Sequence, residues 1–332
     1  MLRHLVLGSL LIVFALQLYS WASVRWIEHR FPPLGAFVTV RGLRLHYVMQ
    51  GNGPGPTLLL IHGASSNLRE FSSNLLPRLA QQHRVIAFDR PGYGYSDRGD
   101  GPWMTPADIA SLLLDACAQL GIERPVLVGH SWAGSVVMAA LVEHPERVAG
   151  GVLLGGVTGH WAGSVGWTYD VGALPLIGPL FAWTLVMPAG QLLLPREVVP
   201  VVAPDPVPPQ YIDNIGAPLA LRPRSFLDNV EDMMRLNEYL QTLSVRYDQI
   251  HAPLLLIHGD QDALVPFWNH GRRVLPVVPQ AQVLLLRNAG HALHHTHLRE
   301  VAGAIDRFVA KLPATTDANP ATTLPRIAAY EH

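Results

Sequence analysis

Short apolar runs recur along this chain, each closed by glycine or small polar residues and most followed by a stretch of helical spacing. Phe37 to Val40 and Leu43 to Val48 alternate and meet through Arg41-Gly42, which predicts an opening β-hairpin. Thr57-Leu58-Leu59-Leu60-Ile61 does not alternate, as expected of a strand covered on both faces, and it ends in His62-Gly63-Ala64-Ser65. Leu68 to Gln82 has helical spacing, and Arg84 to Phe88 is the next strand. Thr105 to Leu120 reads as a helix with Pro106 in its first turn and Gly121 beyond its end. Val126 to Val128 is a buried strand, Ser131 sits on the tight turn after it, and Trp132 to Glu143 is a helix of small and apolar residues. Val148 to Leu154, Leu254 to Ile257 and Gln282 to Leu286 are further strands, and a last helix runs from Leu293 to Lys311. Strands alternating with helices predict a mostly parallel sheet covered on both faces.

The alternation stops after Gly155-Gly156 and resumes at Pro253, about 95 residues later, too long for a structureless loop inside a domain. This stretch is rich in proline and carries Trp161, Trp167, Tyr169, Phe181, Trp183, Tyr211 and Phe226. Most of these aromatics are expected to pack with one another, and a few to face a ligand.

Leu5 to Val24 is free of charge and, at about 20 residues, long enough to cross a bilayer. Tyr19, Trp21 and Trp26 cluster at its far end, where an aromatic belt would lie. A cleaved signal peptide would need a small-x-small site, and Ser20-Trp21-Ala22 is a poor one. A packed core helix would show a polar face, which is missing. A retained anchor over residues 1–33 is therefore the expectation, with the rest of the chain on the extracytoplasmic side. Arg3 before the span faces Arg25 and Arg30 after it, so charge specifies this direction weakly. Beyond the last helix, residues 312–332 are rich in Ala, Thr and Pro and are expected to be disordered.

At 332 residues the chain can bury one large core, or a core with an inserted subdomain. The net charge of −1, the 15% of charged residues and the lack of any basic run give no reason to expect a nucleic-acid partner. Cys117, the one cysteine, falls in a predicted helix, so it forms no intrachain disulfide and reads as a small core residue. The oligomeric state is not legible.

The candidate chemistry centres on Gly129-His130-Ser131-Trp132-Ala133-Gly134. A serine between a strand end and a helix start is held in strained backbone angles, with its hydroxyl projecting from the sheet beside unpaired helix N–H groups. That placement suits an attacking alcohol and the oxyanion it creates. The turn resembles the nucleophile elbow of the α/β-hydrolase family, G-x-S-x-G, with Ala133 at the last position and glycine delayed to Gly134. Asp89-Arg90-Pro91-Gly92-Tyr93-Gly94-Tyr95-Ser96 resembles the D-x-x-G-x-G-x-S loop of the same family. There Asp89 and Arg90 would brace the oxyanion loop.

The resemblance extends over residues 36–311 and implies an eight-stranded, mostly parallel α/β-hydrolase sheet. Its core would comprise residues 34–157 and 251–311, with a mainly helical cap inserted at 158–250. It further implies the chain order nucleophile, acid, histidine, which Ser131, Asp262 and His291 satisfy, each just past a predicted strand. Asp260, adjacent to Gly259, is the rival acid, but Asp262 stands at the family's G-x-x-D position. His294, His295 and His297 are rival histidines. His291 and His295 are spaced to share a metal, but no third ligand pattern supports one, and the cluster reads as solvated surface. His130 reads as a packed neighbour of the nucleophile. The expected oxyanion donors are the backbone N–H groups of Ala64 and Trp132.

These readings imply a serine hydrolase acting on a small apolar carboxylic ester at or near a membrane, with neither cofactor nor metal. Amides, lactones, thioesters, carbon–carbon bonds and acyl transfer to an alcohol use the same triad. Cofactor-free haloperoxidase or perhydrolase chemistry is a further alternative, and a ligand-binding receptor of this fold is the non-enzymatic one.

Overall fold

The computed structural model describes residues 1–312. Nearly all of the tail expected to be disordered, residues 313–332, lies outside the described residues.

The apolar runs form one eight-stranded sheet: β1 Ala36–Val40, β2 Leu43–Gln50, β3 Leu58–Ile61, β4 Val85–Phe88, β5 Val126–His130, β6 Gly150–Leu154, β7 Leu254–Gly259 and β8 Gln282–Leu286. Their order is β1-β2-β4-β3-β5-β6-β7-β8. β2 runs antiparallel to both of its neighbours, and every other pairing is parallel. Because side chains alternate across a strand, β3 sends Leu59 and Ile61 to one hydrophobic core and Leu58 and Leu60 to a second core on the opposite face. This double coverage explains why the central strands carry no polar alternation.

Helix Pro106–Gln119 starts as the sequence predicts. The Thr105 hydroxyl accepts from the Asp108 N–H at 3.1 Å, while the Asp108 carboxylate accepts from the Thr105 N–H at 2.9 Å. Two other helices differ from expectation. Leu68 to Gln82 is split into Arg69–Ser72 and Leu75–Leu79, because the Asn74 side chain caps a new start by accepting from the Leu75 N–H. The final helix is divided into Leu293–Thr296 and Leu298–Val309 by His297, whose φ of −124° and ψ of 41° leave the helical region.

The long insertion is helical, with Trp167–Gly172, Ile177–Phe181, Met187–Glu197, Val199–Val202, Tyr211–Asn214 and the long Pro223–Leu243. This last helix serves two layers. Its Leu236, Leu240 and Leu243 join the main core, while Asn229 and Asp232 reach back into the loops around the sheet's C-terminal edge.

The N-terminal helix Leu2–Arg30 is one uninterrupted rod, about 43 Å long at 1.5 Å per residue. Only Ser20, Ser23 and Ile27 are buried in it. Leu5, Leu10, Leu11, Ile12, Phe14 and Leu18 are all exposed. Its length and composition suffice to cross a membrane.

Candidate active site

The loops after β3, β5, β7 and β8 meet at one edge of the sheet, because parallel strands all present their C-terminal ends there. Ser131 follows β5 with a φ of 53°, the left-handed conformation expected of a serine on a strained elbow. The close packing behind it is set by glycines on both sides of Ala133. A Cβ on Gly129 would lie 2.5 Å from the Ala133 carbonyl, and one on Gly134 would lie 2.7 Å from the Gly156 Cα. Ala133 is itself wholly buried, so one methyl is accommodated there while Gly129 and Gly134 take the tight contacts.

Asp262 and His291 are joined as expected. His291 Nδ1 donates to Asp262 Oδ2 at 2.8 Å, which leaves Nε2 as the free basic nitrogen. The other carboxylate oxygen accepts from the N–H groups of Leu264 and Val265 at 3.0 and 2.8 Å. Burial works to raise the Asp262 pKa, but His291 and these donors hold it below the usual carboxylate range. Asp260 is exposed at the loop surface. Gly155, with a φ of 51°, leaves room for the pair, since a Cβ there would stand 3.1 Å from Asp262 Oδ2 and 3.2 Å from His291 Nδ1. Among the described residues no hydrogen bond joins the Ser131 hydroxyl to His291. Such links are commonly loose before a substrate is bound.

The loop after β3 lies against Ser131, with a Cβ on Gly63 falling 2.9 Å from Ser131 Cβ. Arg90 braces this loop, its Nε donating to the His62 carbonyl and its Nη2 to the Gly63 carbonyl, both at 3.1 Å. His62 accepts from the Arg90 N–H at 2.9 Å, so its Nδ1 carries the proton that it gives to the Gly63 carbonyl. Burial, reinforced by the Arg90 charge, lowers the His62 pKa to about 4, keeping the ring neutral. Asp89 binds the N–H groups of Leu68 and Tyr95 at 2.7 and 2.8 Å. Arg90 thus braces the His62-Gly63 loop as expected, whereas the Asp89 carboxylate holds Leu68 and Tyr95 instead.

Two acidic groups at this edge were not foreseen. Asp232, from the inserted helix Pro223–Leu243, is wholly buried and pairs with Arg90 at 2.8 Å, and the Tyr93 hydroxyl donates to it at 2.9 Å. Arg90 is also stacked between Tyr93 and Trp132, at 4.1 and 4.0 Å from their ring centres. The insertion is thereby tied to the residue after the nucleophile. Tyr169 continues this contact, accepting from Asn229 Nδ2 at 3.3 Å close to the Ser65 hydroxyl.

The second is Glu70. Its Oε2 accepts from the Ser66 hydroxyl at 2.7 Å and from the Gly63 N–H at 3.3 Å. Its Oε1 forms an ion pair with His130 Nδ1, close but without the alignment of a hydrogen bond. The other His130 nitrogen donates to the His291 carbonyl at 3.3 Å. Burial opposes the charge on His130, yet Glu70 raises its pKa and so favours the protonated ring. Burial likewise works to raise the Glu70 pKa, and His130 and His294 bring it well below the usual value. His294, expected at a solvated surface, is wholly buried with its Nε2 3.1 Å from Glu70 Oε1. A buried carboxylate drew it inward. Burial and the His130 cation lower its pKa to about 4. Glu70, His130 and His294 bring one donor atom each within 4.8 Å of one another and are the trio that could hold a metal among the described residues. The charge of Glu70 is already balanced there by protonated His130, which a metal would have to discharge.

A family model of the alpha/beta hydrolase fold matches residues 56–196. The chain is 27% identical over 272 residues to a 2-hydroxy-6-oxononadienedioate/2-hydroxy-6-oxononatrienedioate hydrolase of Pseudomonas putida, covering 77% of this chain and 87% of the relative. Among solved structures, an enol-lactonase from Burkholderia xenovorans LB400 superposes with a TM-score of 0.68 at 20% identity, covering 83% of this chain and 100% of the other. A membrane phospholipase A described as a bacterial virulence factor gives a TM-score of 0.64 at 24% identity, covering 93% and 98%. With this sheet order and this elbow, the chain has the α/β-hydrolase fold.

Proposed function

We propose that the chain is a serine hydrolase that cleaves an apolar carboxylic ester through an acyl-enzyme on Ser131. The observation that carries this reading is the buried Asp262–His291 pair, 2.8 Å apart, on the same sheet edge as a serine held at a φ of 53°. Ser131 Oγ attacks the ester carbonyl carbon while His291 Nε2 takes its proton. The N–H groups of Ala64, in the loop that Arg90 braces, and of Trp132, at the N-terminus of the elbow helix, receive the oxyanion. His291 returns the proton to the departing alcohol as the tetrahedral adduct collapses to the acyl-enzyme. Water, deprotonated by His291, then releases the acid and restores Ser131. The scheme uses neither cofactor nor metal.

An apolar, membrane-side substrate is supported by the exposed apolar helix Leu2–Arg30 and by likeness to a solved membrane phospholipase A. In this reading the helix anchors the enzyme, with the catalytic domain on the extracytoplasmic side. The names of the curated relatives favour a second reading, in which the same triad acts on an oxo-dienedioate. A panel of 4-nitrophenyl esters of two to twelve carbons, run beside such a dioate, separates them. Faster turnover of the longer esters, lost in Ser131→Ala, supports the first; turnover of the dioate alone supports the second.

A further inference from the structure

No Asp, Glu, Lys, Arg or His occurs between residues 171 and 195, and this part of the insertion lies beside the N-terminal helix. Ile27 and Phe31 share a buried cluster with Met187 and Leu219, while the Tyr19 hydroxyl donates to Gln191 Oε1 at 2.6 Å. These contacts set helix Met187–Glu197 beside the N-terminal helix, with Gln191 at the level of Tyr19. Leu192 and Leu193 stand there 78% and 41% exposed.

Depth follows from length. A hydrocarbon core of about 30 Å takes up about 20 residues of helix. The uncharged span from Leu5 to Val24 therefore ends five residues beyond the Tyr19–Gln191 contact. Gln191 then lies at the edge of the acyl region, and the exposed Leu192 and Leu193 adjoin it. The same level carries Trp21 and Trp26, both exposed, with the Arg25 and Arg30 guanidinium groups 5.5 and 5.4 Å from their ring centres. Aromatic rings beside cations are what a helix presents to lipid headgroups rather than to a second apolar protein surface. Between the two helices lies a crevice of about 560 Å³, lined among others by Tyr19, Ala22, Trp26, Leu194, Pro195 and Ile212.

We propose that the exposed Leu192 and Leu193 of helix Met187–Glu197 dip into the bilayer beside the N-terminal helix, and that the crevice between the two helices receives an acyl chain of a membrane lipid. This rests on the reading of Leu2–Arg30 as a membrane anchor. It identifies the substrate class as an acyl lipid drawn sideways from the bilayer.

The test uses the full chain reconstituted in phosphatidylcholine vesicles whose acyl chains carry bromine near the headgroup. Leu192→Cys and Val245→Cys are each labelled with bimane; Val245 is 76% exposed, and the buried Cys117 serves as the background. Brominated lipid should quench the probe at position 192 several-fold more than the probe at position 245. Equal quenching in protein that floats with the vesicles overturns the proposal. Protection of position 192 from lipid and from aqueous iodide, with cross-linking between copies, also overturns it and assigns the face to a second chain. Failure to float overturns the anchor reading itself. As a second readout, Leu192→Glu with Leu193→Glu should lower turnover of vesicle-borne phosphatidylcholine about tenfold or more and leave 4-nitrophenyl acetate turnover unchanged. An equal loss on both substrates contradicts lateral entry.

Discussion

Glu70 and His130 form a buried ion pair beside Ser131, and the far nitrogen of His130 holds the His291 carbonyl at 3.3 Å. One carboxylate thus touches the loop after β3 through the Gly63 N–H, the elbow through His130 and the loop after β8 through His294. Removing one partner of such a pair typically costs about 3–5 kcal/mol, and a histidine that can discharge lies at the low end. Glu70→Gln is expected to lose about 3 kcal/mol in urea denaturation, with part of it restored in Glu70→Asp.

The same pair sets a pH window. Glu70 is depressed below its ordinary value of 4.5, so its contribution is present above that pH and is lost as the pH falls through the folded value. His130 is raised above 6.5, so its contribution is complete below that pH and is lost as the pH rises through the folded value. The stability difference between wild type and Glu70→Gln should therefore be greatest between these limits and shrink toward both acid and alkaline pH. A difference that stays constant from acid to alkaline pH would contradict the ion pair.

The two rival acids should separate cleanly. Asp262→Asn leaves the geometry in place but favours the wrong His291 tautomer, which is expected to lower kcat by about 10⁴-fold. Asp260→Asn, at an exposed position, should stay within about twofold of wild type. Steady-state kinetics on one ester substrate decide between them.

Gly155→Ala introduces a methyl where Asp262 Oδ2 and His291 Nδ1 leave 3.1 and 3.2 Å, at a φ of 51°. Overpacking of this kind costs about 1–3 kcal/mol. Here it should appear in kcat more than in KM, because the methyl displaces the base–acid pair and not a surface in contact with substrate.

The elements legible in the sequence are those whose role is local. Val126 to Val128, Ser131 and Gly134 declare a strand, a strained turn and a close-packed helix within ten residues, and Asp262 and His291 each follow a strand end. Asp232 and Glu70 were not legible, because their meaning is non-local. Asp232 meets Arg90 across 142 residues, and its helix Pro223–Leu243 carries no motif. Glu70 sits in a short helix that was expected to be part of a longer one, and its only signal was its place between the buried Leu68 and Phe71. His294 looked like surface for the same reason, since only the fold brings the Glu70 carboxylate to it. The N-terminal helix was legible because twenty uncharged residues have few other uses.

The most direct test of the central claim is intact-mass and peptide-mapping analysis after exposure to a fluorophosphonate, comparing wild type with Ser131→Ala. A serine activated by His291 should take up a single phosphonyl group, mapped to Ser131, with complete loss of ester turnover, and Ser131→Ala should stay unlabelled. An unmodified wild type that still turns over ester, or a label on any other residue, would contradict an acyl-enzyme on Ser131.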